Sequence, residues 1–298
     1  MAPIIEKDDL RFLVLTDGKT GHKRQVDGFL NALTKIKLVD LVELDVLSVG
    51  YGEVLFGKGL VSLQDRQYIV GAGHSTHLKM LLLGWRLRAK TLVIMKPSIP
   101  RILFDFCFIP EHDNVGSAKN TFITVGAMND LKPDAQKNDR VLLLLGGCSS
   151  EYFWDFESVT HQIQAIIASE SHEVNILGSR RTPKDFINYL RNEINNVKSQ
   201  VNICSHDEVD NNWLSNNLPL AKRVWVTEDS VNMIYESLSV GAVVNIIKLP
   251  SRKKGRVHLG VKKLIDAGSV GTLDSMSSKI TILQEADRAA DWFITNEK

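Results

Sequence analysis

The 298-residue chain has no excess of charge of either sign, with 36 basic residues against 35 acidic ones. Proteins that track phosphate backbones usually carry a basic excess, so nucleic acid is not the expected partner. Cysteine is scarce. Cys107, Cys148 and Cys204 are odd in number and form no CxxC pair, so they read as reduced thiols of a cytosolic protein rather than a disulfide framework. No apolar run approaches the roughly 18–20 residues that a spanning helix needs. The first residues lack the basic-then-apolar pattern of a signal peptide. A cytoplasmic location is expected, with peripheral attachment at an inner membrane left open.

Several motifs are also missing. No DxD sequence occurs, which removes the usual carboxylate clamp for a metal-bound nucleotide sugar. The expectation is therefore no metal and no cofactor, with any nucleotide sugar acting as substrate. Gly71-Ala72-Gly73-His74-Ser75-Thr76 fails the dinucleotide fingerprint because Thr76 stands where a third glycine is needed. Gly52–Gly59 nearly matches a phosphate-binding loop but lacks the closing Ser/Thr, and it reads as a surface loop.

What is present is alternation. With 44% hydrophobic residues the chain has enough apolar material to fold as a globule. Short apolar runs at 11–16, 38–46, 67–70, 91–96, 104–109 and 121–125 are separated by helix-period segments. Several lack a polar/apolar alternation, as expected of strands covered on both faces. A polar, proline-bearing stretch at 129–139 reads as a linker. The pattern then restarts at 140–145 and continues through 174–178, 201–205, 223–227 and 243–249, with a last amphipathic stretch at 283–295. The predicted fold class is α/β, with two Rossmann-like doubly wound domains facing a central cleft. The expected domains span 1–130 and 139–298, and the last helix is allowed to pack back on the first domain.

The chemistry gathers where strands end. In the first half, Thr16-Asp17-Gly18-Lys19-Thr20-Gly21-His22, with Gln25 beyond it, places a histidine at a helix start. There it could act as a general base or stand as an ordinary turn residue. Gly73 and His74 form a second such turn, and His112 and Asp113 follow a third strand. In the second half, Gly146, Gly147 and Ser149 follow one strand and Ser179-Arg180-Arg181-Thr182-Pro183 the next. Thr182 reads as a helix N-cap with Pro183 in the first turn, and the two arginines can fork onto diphosphate oxygens. Thr227-Glu228-Asp229-Ser230, with Met233 and Glu236 on the following helix, offers a positive helix end and a carboxylate for sugar hydroxyls. The helical run 77–90, basic and carrying Trp85, could lie in a membrane interface or pack as a buried helix with a basic end.

The order of Thr20-Gly21-His22 with Gln25, Gly71–His74, Pro110–Asp113, Gly146-Gly147, Ser179–Pro183 and Thr227–Glu236 resembles one family. It is the mitochondrial fission factor family named for the elongated mitochondria of plant mutants, which has bacterial members. That family in turn is similar to the GT-B glycosyltransferases. The resemblance implies a first domain that holds the acceptor, through Asp17, Gly21, Gln25, Gly73, His74, His112 and Asp113, with His22 as catalytic base. It implies a second domain that holds the nucleotide sugar, through Gly146, Gly147, Ser149, Ser179, Arg180, Arg181, Thr182, Thr227, Asp229, Ser230, Met233 and Glu236.

The expected function is a metal-independent inverting glycosyltransferase in surface-polysaccharide or lipid-linked glycan synthesis. The expected partners are a nucleotide sugar and a glycan or lipid-linked acceptor. Two alternatives stand: a nucleotide-sugar epimerase on the same scaffold, or a non-catalytic adaptor.

Overall fold

A computed structural model describes residues 9–57, 63–194, 200–210 and 212–297. The chain divides into two units, 1–130 with 284–298, and 131–283.

In the first unit the elements run β1 (Leu10–Thr16), α1 (Thr20–Leu33), β2 (Val39–Asp45), α2 (Tyr51–Phe56), β3 (Tyr68–Ala72), α3 (His74–Leu87), β4 (Lys90–Ile94), β5 (Phe106–Pro110) and β6 (Thr121–Thr124). The strands form one parallel sheet in the order β2-β1-β3-β4-β5-β6. Parallel strands need crossover helices, and these bury both faces of the sheet. One face packs on Val26, Phe29 and Leu33 of α1, the other on Met80, Leu83 and Leu87 of α3. The segment 52–59, expected to be a loop, begins as helix α2, while 58 and 59 lie outside the described residues.

The second unit runs β7 (Asn138–Leu145), α4 (Phe156–Ser169), β8 (Val174–Gly178), α5 (Lys184–Ile194), β9 (Val201–Cys204), α6 (Trp213–Asn217), β10 (Ala221–Thr227), α7 (Val231–Ser239), β11 (Val243–Ile247), α8 (Arg256–Asp266) and β12 (Gly271–Thr272). Its sheet is also parallel, in the order β12-β11-β10-β7-β8-β9. The Val141–Leu145 stretch of β7 is wholly buried, which accounts for its unbroken apolar sequence. Helices α4 and α5 cover one face, and α7 and α8 the other.

The last helix, α9 (Glu285–Asn296), belongs to the first unit. Its Phe293 ring packs edge-on against Tyr68, Phe29 and Phe106. Glu297 just beyond it accepts a 2.7 Å hydrogen bond from the Tyr68 hydroxyl. Burial and that bond push the Tyr68 phenol well above its usual value.

Each sheet reverses its winding direction once. In the first the reversal lies between β1 and β3, and in the second between β7 and β10. At such a switch point the flanking helices leave to opposite faces. A crevice opens beyond the strand C-termini, where ligands of open α/β sheets bind.

Candidate functional site

At the first switch point, Asp17 directly follows β1 and its side chain is 2% exposed. A buried carboxylate must be satisfied, and this one has several donors. The Lys19 amide donates to it at 3.2 Å, the Ser75 hydroxyl at 3.1 Å, and His22 Nδ1 lies 3.0 Å from Oδ2. Burial alone would raise the Asp17 pKa. The Lys19 amide, His22 and Ser75 together outweigh it, so the carboxyl sits below its usual value and remains ionised. An ionised acceptor at Nδ1 places the histidine proton there and leaves Nε2 as the basic atom. Gly73 makes the arrangement possible, because a Cβ at that position would fall 2.4 Å from His22 Nδ1. Its φ of +91° is also one that other residues rarely adopt.

The remaining residues singled out in this half occupy different places. Gly21 is exposed, and a Cβ there would meet open space, so crowding does not demand glycine. Gln25 is buried and donates to the Gly21 carbonyl at 3.4 Å. His74 is the exposed first residue of α3. His112 and Asp113 follow β5, which β4 separates from β3. One histidine not singled out from the sequence, His77, is buried one turn into α3. Its Nδ1 lies 3.0 Å from the Ser98 hydroxyl and accepts from the Ser98 amide at 3.3 Å. Its spacing from His74 on one helical face was the available signal.

At the second switch point another aspartate takes the central place. The Asp229 side chain is 0% exposed. It accepts from the Gly147 amide at 3.0 Å and the Thr227 hydroxyl at 2.8 Å, and Arg181 Nη2 lies 2.8 Å away. The same Arg181 nitrogen donates to the Ser230 hydroxyl at 2.9 Å. The Gly146 amide donates to Thr227 Oγ1 at 2.7 Å. Both glycines are required by close approach. A Cβ on Gly146 would lie 2.2 Å from Asp229 Oδ2, and one on Gly147 would lie 1.9 Å from the Arg181 carbonyl oxygen.

This arrangement changes what the glycines do. Their amides donate inward to Thr227 and Asp229, so they fix the loop rather than stand open toward a phosphate. Ser149 is likewise engaged, its hydroxyl accepting from the Tyr152 amide at 3.1 Å. Thr182 is not the N-cap expected of it. Its hydroxyl reaches back to the Leu145 carbonyl at 3.0 Å and accepts from the Ser179 amide at 2.8 Å, while α5 begins at Lys184. Ser179 Oγ donates to the Gly146 carbonyl at 3.0 Å.

The two arginines part company. Arg181 is pinned by Asp229 with 46% of its side chain exposed, whereas exposed Arg180 has no ion pair among the described residues. Ser230 precedes α7 without capping it through its side chain, and the first N–H groups of a helix have no intrahelical partner and carry its positive end. Met233 packs against the core, and Glu236 is half-buried on α7, one turn beyond exposed Asn232.

Electrostatically the second site is a fixed guanidinium over a buried carboxylate, joined by a helix N-terminus. The first is an oriented imidazole. Among the described residues no group of three or more His, Cys, Asp or Glu side chains could hold a metal ion. No helix among them is long and apolar enough to cross a membrane.

Solved structures share this architecture. The UDP-GlcNAc 2-epimerase from Methanocaldococcus jannaschii superposes with a TM-score of 0.60 at 13% identity, over 96% of this chain and 99% of that one. MurG from Acinetobacter baumannii gives 0.53 at 10% identity, over 97% and 91%. A glycosyltransferase from Rickettsia africae gives 0.51 at 9% identity, over 97% and 94%. At such identities the likeness establishes the fold, two Rossmann-like units of the GT-B kind. A sequence comparison with curated proteins finds no match. A family profile, described as mitochondrial fission ELM1, matches residues 20–296. That span takes in all of the second switch point and, at the first, His22 and β3 but not β1 or Asp17. It covers most of the chain, and the chain belongs to the mitochondrial fission ELM1 family.

Proposed function

We propose that this protein is a glycosyltransferase that uses a nucleotide-sugar donor, inverts the anomeric centre and needs no metal. The observation that carries the reading is Arg181, anchored on buried Asp229 at the switch point beside the N-terminus of α7. A permanent, pre-oriented cation next to open helical N–H groups suits a diphosphate leaving group, which gains negative charge as the sugar departs. Exposed Arg180, Lys253 and Lys254 add positive charge on neighbouring strand-end loops. They supply the neutralisation that a metal provides in other transferases.

In this reading His22 is the catalytic base. Asp17 holds Nδ1–H, and Nε2 takes the proton from the acceptor hydroxyl as that oxygen attacks the anomeric carbon. The C–O bond to the diphosphate breaks as the new glycosidic bond forms, and the nucleoside diphosphate leaves with the electron pair. Glu236, on the exposed side of α7, accepts from the ribose hydroxyls.

A surface glycan or a lipid-linked glycan is the proposed acceptor. Peripheral membrane contact has a physical basis in exposed Leu78 and Trp85 of α3 and Tyr51 and Phe56 of α2. The segment 74–90 carries four Lys and Arg residues and no acid.

Titration calorimetry with a panel of nucleoside diphosphates is the direct test. Binding by one of them supports the donor site, and silence from all of them removes it. Incubation with donor alone then separates the readings. A new sugar isomer identifies an epimerase, whereas product that appears only with an acceptor identifies a transferase.

A further inference from the structure

Next to Asp229 stands a second carboxylate with a different set of partners. Glu228 is 8% exposed and turns toward the loops after β7 and β11. Its Oε1 accepts the Tyr152 hydroxyl at 3.1 Å, and Oε2 accepts the Leu249 amide at 3.3 Å. His258 Nδ1, in the first turn of α8, lies 3.2 Å from Oε1 without a hydrogen bond to it.

The same two loops are joined at further points. The Phe153 amide donates to the Pro250 carbonyl at 2.8 Å, and the Arg252 amide to the Glu151 carbonyl at 2.6 Å. The Arg252 guanidinium lies 4.1 Å from the Phe153 ring centroid, and its Nε donates to the Tyr152 carbonyl at 3.3 Å. The loop so fastened carries Arg252, Lys253 and Lys254, and Arg256 opens α8 just beyond it. A basic loop left to itself swings away from its own charge. This one is tied to the residue that precedes Asp229.

We infer that Glu228 is a positioning residue: through Tyr152 and Leu249 it holds the 248–255 loop beside the second switch point, so that the cations of that loop contribute to binding the donor's diphosphate. The inference rests on the donor-site reading above and adds to it the buried residue that holds this loop in place. Chain connectivity limits the alternatives. Adjacent residues 228 and 229 fasten the two sides of one strand end, Asp229 to the β8 loop and Glu228 to the β11 loop.

The test uses the full chain, UDP as probe, and two readouts. Glu228→Ala is expected to raise the rate of tryptic cleavage at 252–256 by about fivefold or more, since loss of buried bonds to a charged group frees the loop. It is also expected to weaken UDP binding about tenfold and to flatten the dependence of Kd on salt. Glu228→Gln, which retains one acceptor oxygen, for Tyr152 or for Leu249, is expected to recover part of both. Arg252→Ala, a surface change without folding risk, should reproduce the affinity and salt effects.

Unchanged cleavage in Glu228→Ala overturns the inference, as does faster cleavage with unaltered UDP affinity and salt dependence. If Glu228→Ala does not fold, an unaltered Kd and salt slope in Arg252→Ala overturns it. If wild type binds neither UDP nor any other nucleoside diphosphate, the donor-site reading itself fails. Wild-type binding with indifferent variants sinks the positioning role alone.

Discussion

The two switch points use one device and obtain opposite electrical results. Each buries an aspartate at the end of a strand, Asp17 after β1 and Asp229 after β10, and surrounds it with an amide and hydroxyl donors. At the first, the remaining partner is a histidine, a side chain whose ring nitrogens can give or take a proton. At the second, it is an arginine, whose charge never changes. The lesson is that the fold supplies the place and the buried acceptor, while the side chain facing it decides between moving a proton and holding an anion.

The comparison breaks most decisively at His22. If the imidazole moves the acceptor proton, His22→Ala is expected to lower turnover by about 10²- to 10⁴-fold with little change in melting temperature or nucleotide affinity. Steady-state kinetics alongside nucleotide titration checks it. Equal loss of nucleotide affinity would erase the distinction between the two sites.

The glycines come next. Gly147→Ala forces a methyl against the Arg181 backbone and is expected to cost about 3 kcal/mol in chemical denaturation, together with nucleotide binding. Gly73→Ala should instead disturb the His22–Asp17 pair and leave nucleotide affinity intact. Arg181→Ala leaves Asp229 buried with fewer donors. A loss of about 1–3 kcal/mol is expected, reduced from the fully buried case because the guanidinium is half exposed. Adding Asp229→Asn should recover part of the stability but none of the binding.

The smallest effect concerns His77. Burial first, then the His74 and His22 charges, holds its pKa below the ordinary 6.5. The unfolded ring therefore takes up a proton before the folded one does. Stability is complete above about pH 6.5 and declines as the pH falls through that value, until the folded ring itself protonates. Melting temperatures across that range should show the decline in wild type and a flatter line in His77→Gln. A slope that survives the substitution assigns it to another group.

Much of the site was readable because its residues lie at strand ends, where glycine, hydroxyl and charged residues interrupt apolar runs. Asp17, His22, Gly73, Gly146, Gly147, Arg181 and Asp229 all stand out in that way. Tyr152 and His258 did not, since each looks ordinary in its own segment; Glu228 stood in the acidic turn after β10, but its partners lie on other loops and only their meeting makes a network. Thr182 misled for the same reason. Its neighbours in sequence, Arg181 and Pro183, resemble a helix start, but its hydroxyl turns to the Leu145 carbonyl, contributed by a different strand.

The sequence by itself determined the alternation of strands and helices, because doubly covered parallel strands require unbroken apolar runs and their crossovers require helical spacing. It also determined which residue types stand at the strand ends. The tertiary structure alone decided which of them face each other. Burial leaves Asp17 and Asp229 no water to satisfy them, so each takes its donors from whatever the neighbouring strands deliver. That supply depends on strand order, which no local segment of the sequence encodes.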